Sequence, residues 1–410
     1  MDVRVLLSLY GALSCRHQDH RHDVRAEAPS YQIQPHGRHE EPGDDQDLHQ
    51  QRRQLRSQRR GDAHGQVHPH PKLGLALQVC QHRSKAGAYR THALAPAQVD
   101  QGSRRAPRDH CLPRRQGGGA VKYSYYPGCS AEATAVGYDV STRAVCAKLG
   151  IELVELPDWN CCGSTSYFSV RELRSFGISA RNLAIAQEMG DMDLVTTCNA
   201  CYTVLAKTNR YMADNAQLRA DIVEALHRAG RHYDGNVKVR HLVDVLVNDL
   251  GYDAIRERVT KPLTGVRVAC YYGCQMTRPM GTFDDPEFPV TLDKLTEVAG
   301  ATPVDYPCKT KCCGGMLMLT NEQAALRLCF ELLKSARDSE ADVIIAACPL
   351  CEMNVEAYQS RVNKEYGTDF HIPVMYFTQL LGLALGISAK DLALDKQVVP
   401  VDSVLAALPA

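Results

Sequence analysis

The chain has 410 residues, 44% hydrophobic and 23% charged, the composition of an ordinary water-soluble protein with room for two or three domains. Formal charge is zero, yet residues 1–119 carry 19 Lys and Arg against 12 Asp and Glu while the remainder carries 28 against 35, so two unlike kinds of sequence are joined. No run reaches the ~20 apolar residues that span a bilayer, and the apolar stretch from Val5 to Leu13 is too short for an export signal, so a cytoplasmic, reduced protein is expected.

Residues 1–119 hold 12 of the 16 histidines and 17 arginines but only two lysines, Lys72 and Lys85, with almost no apolar periodicity. Such a stretch cannot bury enough apolar surface to offset the cost of ordering. A basic nucleic-acid arm and a His-rich metal tract are the functional alternatives. The Arg-over-Lys bias, with abundant His, Gln and Pro, instead has the character of GC-rich DNA read out of frame. Residues 1–119 are therefore expected to be low-complexity sequence, disordered or mistranslated from upstream, with no nucleic-acid partner. The ordered pattern begins at Val121, just after Gly117, Gly118 and Gly119.

From Val121 onward, apolar runs of strand type alternate with amphipathic segments of helical length. VKYSYYP, IELVEL and DLVTT read as strands, and RELRSFGISARNLAIAQEMG as a helix. VRVACYY, ATPVDY and DVIIAA repeat the strands, and NEQAALRLCFELLKSARDSE repeats the helix. Alternation of this kind predicts an α/β protein of two similar halves, 121–260 and 261–410, each a mostly parallel sheet with flanking helices.

The 17 cysteines repeat with the strands. Cys129 is followed by Cys161–Cys162 and then by Cys198 and Cys201; Cys274 is followed by Cys312–Cys313 and then by Cys348 and Cys351. The local words agree: YYPGCS with YYGCQ, NCCG with KCCGG, TCNAC with ACPLC. In a parallel sheet, ligands gather beyond the carboxyl ends of the strands, so five thiols per half are predicted to meet there. Zinc needs only four ligands, and adjacent cysteines diverge too much to share one ion comfortably. Disulfides are disfavoured in a reducing compartment. A polynuclear iron–sulfur group uses all five thiols. Gly128, Gly163, Gly273, Gly314 and Gly315 flank the thiols, where a missing side chain gives a bulky group room.

The series Cys, Cys–Cys–Gly, Cys-x-x-Cys resembles the CCG domain that occurs twice in the B subunit of heterodisulfide reductase. The resemblance covers residues 121 to about 385. It implies two noncubane [4Fe–4S] clusters, one on Cys129, Cys161, Cys162, Cys198 and Cys201 and one on Cys274, Cys312, Cys313, Cys348 and Cys351. It implies an oxidoreductase that reduces the mixed disulfide of coenzyme M and coenzyme B, or an analogous small disulfide, to two thiols. The cysteine pairs Cys161–Cys162 and Cys312–Cys313 would be central to turnover. No dinucleotide fingerprint or ferredoxin-type cysteine run is present, so electrons must come from elsewhere. By resemblance the source is the ferredoxin-like C subunit of heterodisulfide reductase, fed by a flavin-containing A subunit or by a membrane cytochrome. An electron-transfer subunit without substrate contact and a zinc-bound structural protein are the other readings.

Three further residues are candidates. Lys309 and Lys311, just before Cys312, would place positive charge beside the second cluster and attract an anionic substrate. His241, at the head of a predicted helix after VKVR, is a candidate proton donor. Cys146, Cys270, Cys308 and Cys329 fall outside the repeat and are expected to be buried as small apolar groups.

Overall fold

The structure, a computed structural model, describes residues 121–164 and 166–407; the readings made for residues 1–119 lie outside the described residues. Two four-stranded, fully parallel sheets are present, as the alternation of strands and helices predicts. The first contains β1 (Val121–Tyr126), β2 (Ile151–Glu155), β3 (Leu194–Thr196) and β4 (Val239–His241), in the order β2-β1-β3-β4. The second repeats it with β5 (Arg267–Tyr271), β6 (Thr302–Pro303), β7 (Val343–Ala346) and β8 (Val374–Tyr376), ordered β6-β5-β7-β8. Registers match as well. Tyr126, Thr196 and His241 form the last row of the first sheet, and Tyr271, Ala346 and Tyr376 that of the second.

Helices cover both faces. In the first half those of eight residues or more are α1 (Val136–Lys148), α2 (Glu172–Glu188), α3 (Asn199–Asp214) and α4 (Ala216–Arg228), and a short helix, Leu242–Asp244, follows β4. In the second those of eight residues or more are α5 (Thr291–Val298), α6 (Glu322–Asp338), α7 (Pro349–Glu356), α8 (Gln359–Tyr366) and α9 (Phe377–Ala384). Helix starts are chemically marked: the Asn215 and Asn321 side chains accept from the Leu218 and Ala324 amides and so cap α4 and α6.

Alternate strand residues enter two different cores. Val268 and Cys270 of β5 join one with Val343 and Ile345 of β7. Ala269, Tyr271, Ile344 and Ala346 join the other. Both cores draw on both halves, which is how a parallel sheet with two covered faces is stabilised. Cys146, Cys270, Cys308 and Cys329 are all buried within them. Polar ties cross between the halves too: Ser141 Oγ lies 2.7 Å from Thr378 Oγ1, and Thr203 Oγ1 donates to the Gln275 carbonyl at 2.9 Å.

Candidate metal centre and ligand chamber

The carboxyl ends of the strands deliver the cysteines. Cys129 and Cys274 follow β1 and β5, and Cys198 and Cys348 stand at the N-caps of α3 and α7. Cys201 and Cys351 then fall in the first turns of those helices, where bonds with neighbouring thiols, then burial, push both thiols up. The loops bearing Cys161–Cys162 and Cys312–Cys313 are tethered from the sheets by matched bonds. Tyr126 Oη donates to the Asn160 carbonyl and Tyr271 Oη to the Lys311 carbonyl, both at 2.8 Å. Each acceptor immediately precedes a cysteine pair. The tyrosines are legible in the chain as a repeated YY before each leading cysteine, but their tethering role is not.

The thiols form one row. Cys129, Cys161, Cys162, Cys201 and Cys198 of the first half run into Cys348, Cys351, Cys313, Cys312 and Cys274 of the second, each within hydrogen-bonding reach of the next. The two quintets meet where Cys198 Sγ lies 4.0 Å from Cys348 Sγ. All fourteen described cysteines are free thiols. Among the described residues no three such side chains close around a single metal ion, and the drawn-out row suits a larger group shared among thiols.

Electrostatics point the same way. Hydrogen bonding from Cys129, then from Cys162, holds the Cys161 thiol well below its ordinary range; Cys274 and Cys313 do the same for Cys312. Their partners Cys129 and Cys274 are pushed up by those same bonds and by burial. Five crowded thiols cannot all ionise without a countercharge, which bound iron would supply. The Gly314 and Gly315 amides add N–H···S contacts to Cys312 at 3.3 Å and Cys313 at 3.4 Å. Space is reserved as well. A Cβ on Gly273 (φ +71°) would lie 2.9 Å from Cys351 Sγ, and one on Gly128 (φ +79°) 3.2 Å from Cys201 Sγ. The residues present thus fit an iron–sulfur group in each half.

A cavity of about 720 Å³ opens beside the second quintet and is lined by Cys274, Cys312, Cys313, Cys348 and Cys351. Its opposite wall comes from the first half: Asn199, Thr203, Lys207 and Tyr211 fall at every fourth position of α3 and share one helix face. Sequence reasoning passed over these four. Their i, i+4 spacing was readable, but the chamber they face is built from the other half.

The remaining candidates stand apart from this chamber. His241 ends β4, is fully buried, and caps the next short helix by accepting from the Val243 amide at Nδ1. Its Nε2 faces the Thr197 carbonyl at 3.2 Å and the Ala347 carbonyl at 3.3 Å. Burial lowers its pKa to about 4, so the ring is neutral and donates Nε2–H to the carbonyls just before Cys198 and Cys348. Lys309 Nζ pairs with Asp293 at 2.9 Å, and Lys311 Nζ with Glu331 at 3.4 Å. Their backbones serve the site instead: the Lys309 carbonyl accepts from the Tyr272 and Gly273 amides, and the Lys311 carbonyl from Tyr271.

Comparison with known proteins agrees with this arrangement. The family described as cysteine-rich domain (CCG) matches residues 123–206 and 268–356. The chain is 32% identical over 284 residues to the B subunit of the ferredoxin/F(420)H(2)-dependent CoB–CoM heterodisulfide reductase of Methanosarcina acetivorans, covering 68% of this chain and 94% of that protein. It is 31% identical over 281 residues to the 8-methylmenaquinol:fumarate reductase membrane anchor subunit of Wolinella succinogenes, covering 68% of this chain and 97% of that one. Among solved structures, a hypothetical protein from Helicobacter pylori shares the fold at a TM-score of 0.55 and 16% identity, over 68% of this chain and 52% of that one. With two cysteine-rich domains and that extent of likeness, the chain belongs to the family of the heterodisulfide reductase B subunit.

Proposed function

We propose that this chain is the iron–sulfur subunit of a disulfide-reducing complex, with one noncubane [4Fe–4S] group in each thiol quintet. The observation that carries the reading is the single row of ten thiols, five of which line a chamber large enough for a small ligand. When bound, such groups supply single electrons and a Lewis-acidic iron for sulfur. Overall the S–S bond of a small disulfide breaks, two electrons and two protons are taken up, and two thiols leave. Cys129, Cys161, Cys162, Cys198 and Cys201 hold one group, and Cys274, Cys312, Cys313, Cys348 and Cys351 the other. The pairs Cys161–Cys162 and Cys312–Cys313 are the ligands on which turnover depends most. His241 acts by position, holding the backbone ahead of Cys198 and Cys348. Lys309 and Lys311 brace the loop leading to the Cys312–Cys313 pair.

Electrons come from other subunits, in this reading a ferredoxin-like C subunit supplied by a flavin-containing A subunit or a membrane cytochrome. The relatives' names support a multi-subunit setting. Among the described residues no helix is long and apolar enough to cross a membrane. The likeness to a fumarate reductase membrane anchor subunit favours a second reading, electron transfer to a partner without substrate contact. Anaerobic protein mixed with a reduced viologen dye and the coenzyme M–coenzyme B disulfide separates the two. Two thiols formed per two dye electrons support the first reading; dye oxidation only in the presence of a partner protein, with no thiol formed, supports the second.

A further inference from the structure

The hydrogen-bond donors that reach the cysteine pairs are matched between the halves, with one exception. In the second half the Gly314 and Gly315 amides lie against Cys312 Sγ and Cys313 Sγ. In the first, the Gly163 amide reaches Cys161 and the Ser164 side chain reaches Cys162. Cys313 has one donor more: Asn354 Nδ2 lies 3.7 Å from its Sγ. Asn354 is the sixth residue of α7, and the sixth residue of α3 is Val204, whose side chain is a hydrocarbon. Both positions are buried.

The orientation of this amide is fixed by its surroundings. Asn354 Nδ2 also donates to the Gly315 carbonyl at 2.9 Å and to the Cys313 carbonyl at 3.2 Å, so two acceptors decide which end of the amide carries the hydrogens. With two hydrogens and three acceptors, one N–H is shared between the carbonyl and the sulfur of Cys313. Cys329 closes the arrangement from α6, donating to the Asn354 carbonyl at 3.3 Å and to the Cys313 carbonyl at 3.5 Å. It is the eighth residue of α6; the eighth of α2 is Ser179, whose buried hydroxyl has no partner. Among the described residues, this clasp around a cysteine pair is built in the second half only.

A donor aimed at a ligand sulfur favours the reduced, more negative state of an iron–sulfur group and so raises its potential. We propose that Asn354 sets the potential of the second group, its amide donating to Cys313 Sγ, so that an electron shared along the row of thiols settles beside the chamber. The step is the passage of one electron: the first group is oxidised by one, the second is reduced by one, and no bond or proton moves. This assignment rests on the reading above that each quintet holds an iron–sulfur group, and it adds an order to the two. Asn354 does not line the chamber; it is a positioning residue that acts through Cys313.

The test is a dye-mediated redox titration of anaerobic iron-loaded protein, followed by electron paramagnetic resonance. The wild type gives two midpoints. Asn354→Leu, close in volume but without a donor, lowers the higher midpoint and leaves the other in place. At a given potential the ratio of reduced to oxidised second group falls roughly tenfold, about 59 mV for one electron. Val204→Asn gives the first pair the amide it lacks and raises the lower midpoint by a similar step. A residue that only props the loop would cost stability on replacement, and Val204→Asn would then raise nothing. A single midpoint in the wild type, or midpoints indifferent to both substitutions, overturns the proposal; the wild-type measurement needs no variant to fold. Iron and acid-labile sulfide on the same samples test the underlying reading separately. Wild-type protein that holds neither removes that reading and the proposal with it, whereas loaded protein with unmoved midpoints removes the proposal alone.

Discussion

The two halves share strand order, register, the tyrosine tether and the thiol quintet, and differ in the helix that begins at the last two cysteines of each quintet. In the first half that helix, α3, turns Asn199, Thr203, Lys207 and Tyr211 toward the chamber. In the second, α7 buries Glu352 and Glu356, with Tyr376 Oη donating to Glu352 at 2.7 Å and Gln397 Nε2 to Glu352 at 3.2 Å. The part that is duplicated is the part that brings the thiols together. The part that differs either lines the chamber or seals the fold beside it.

The comparison can be broken at several points. The largest effect is expected from the thiols: Cys161→Ala and Cys312→Ala each abolish turnover and each remove about half of the bound iron, measured by metal analysis. Loss of all iron from either single variant would mean one shared centre instead of two. Gly273→Ala should cost about 2 kcal/mol, because it combines a positive φ with a Cβ inside the reach of Cys351; Gly128→Ala, with its looser contact, should cost less. Denaturant unfolding of the two variants ranks them.

The pH dependence separates the halves further. Burial, then Glu356, raises the Glu352 pKa to about 9, while the unfolded carboxyl keeps its ordinary value near 4.5. The folded state therefore binds the extra proton, so this contribution is full below the ordinary glutamate range and is lost as pH rises toward about 9. The urea midpoint should fall between about pH 6 and about pH 9, and Glu352→Gln, which mimics the protonated acid, should flatten that fall. The smallest effects are expected from the tethers. Tyr126→Phe and Tyr271→Phe each remove one hydrogen bond and should each cost about 1 kcal/mol, equally if the halves are truly equivalent.

Much of this was legible in the chain. Three strands per half and the two long helices were readable because their apolar periods are strong: the helix pattern over residues 171–190 became Glu172–Glu188, and that over 321–340 became Glu322–Asp338. The fourth strand of each sheet was not: β4 and β8 are short, and unlike the other three strands of each half they are not followed by a cysteine of the repeat that would draw attention to them. Convergence of the cysteines followed from placing them after parallel strands. What periodicity could not supply was who faces whom across the halves. Lys309 and Lys311 drew attention by their nearness in sequence to Cys312, yet their ammonium groups turn to Asp293 and Glu331; Lys207 faces the chamber from a helix six residues beyond Cys201. His241 was recognisable as a helix-start residue, but its contact with Ala347, more than a hundred residues away, belongs to tertiary structure alone.

The central claim is that two thiol quintets each enclose a multi-iron group, and the most direct measurement is iron and acid-labile sulfide per chain on anaerobically purified protein. The account predicts about eight iron atoms with matching sulfide, falling by half in Cys312→Ala. Protein that carries zinc in place of iron, or a chain free of both iron and sulfide, would contradict it.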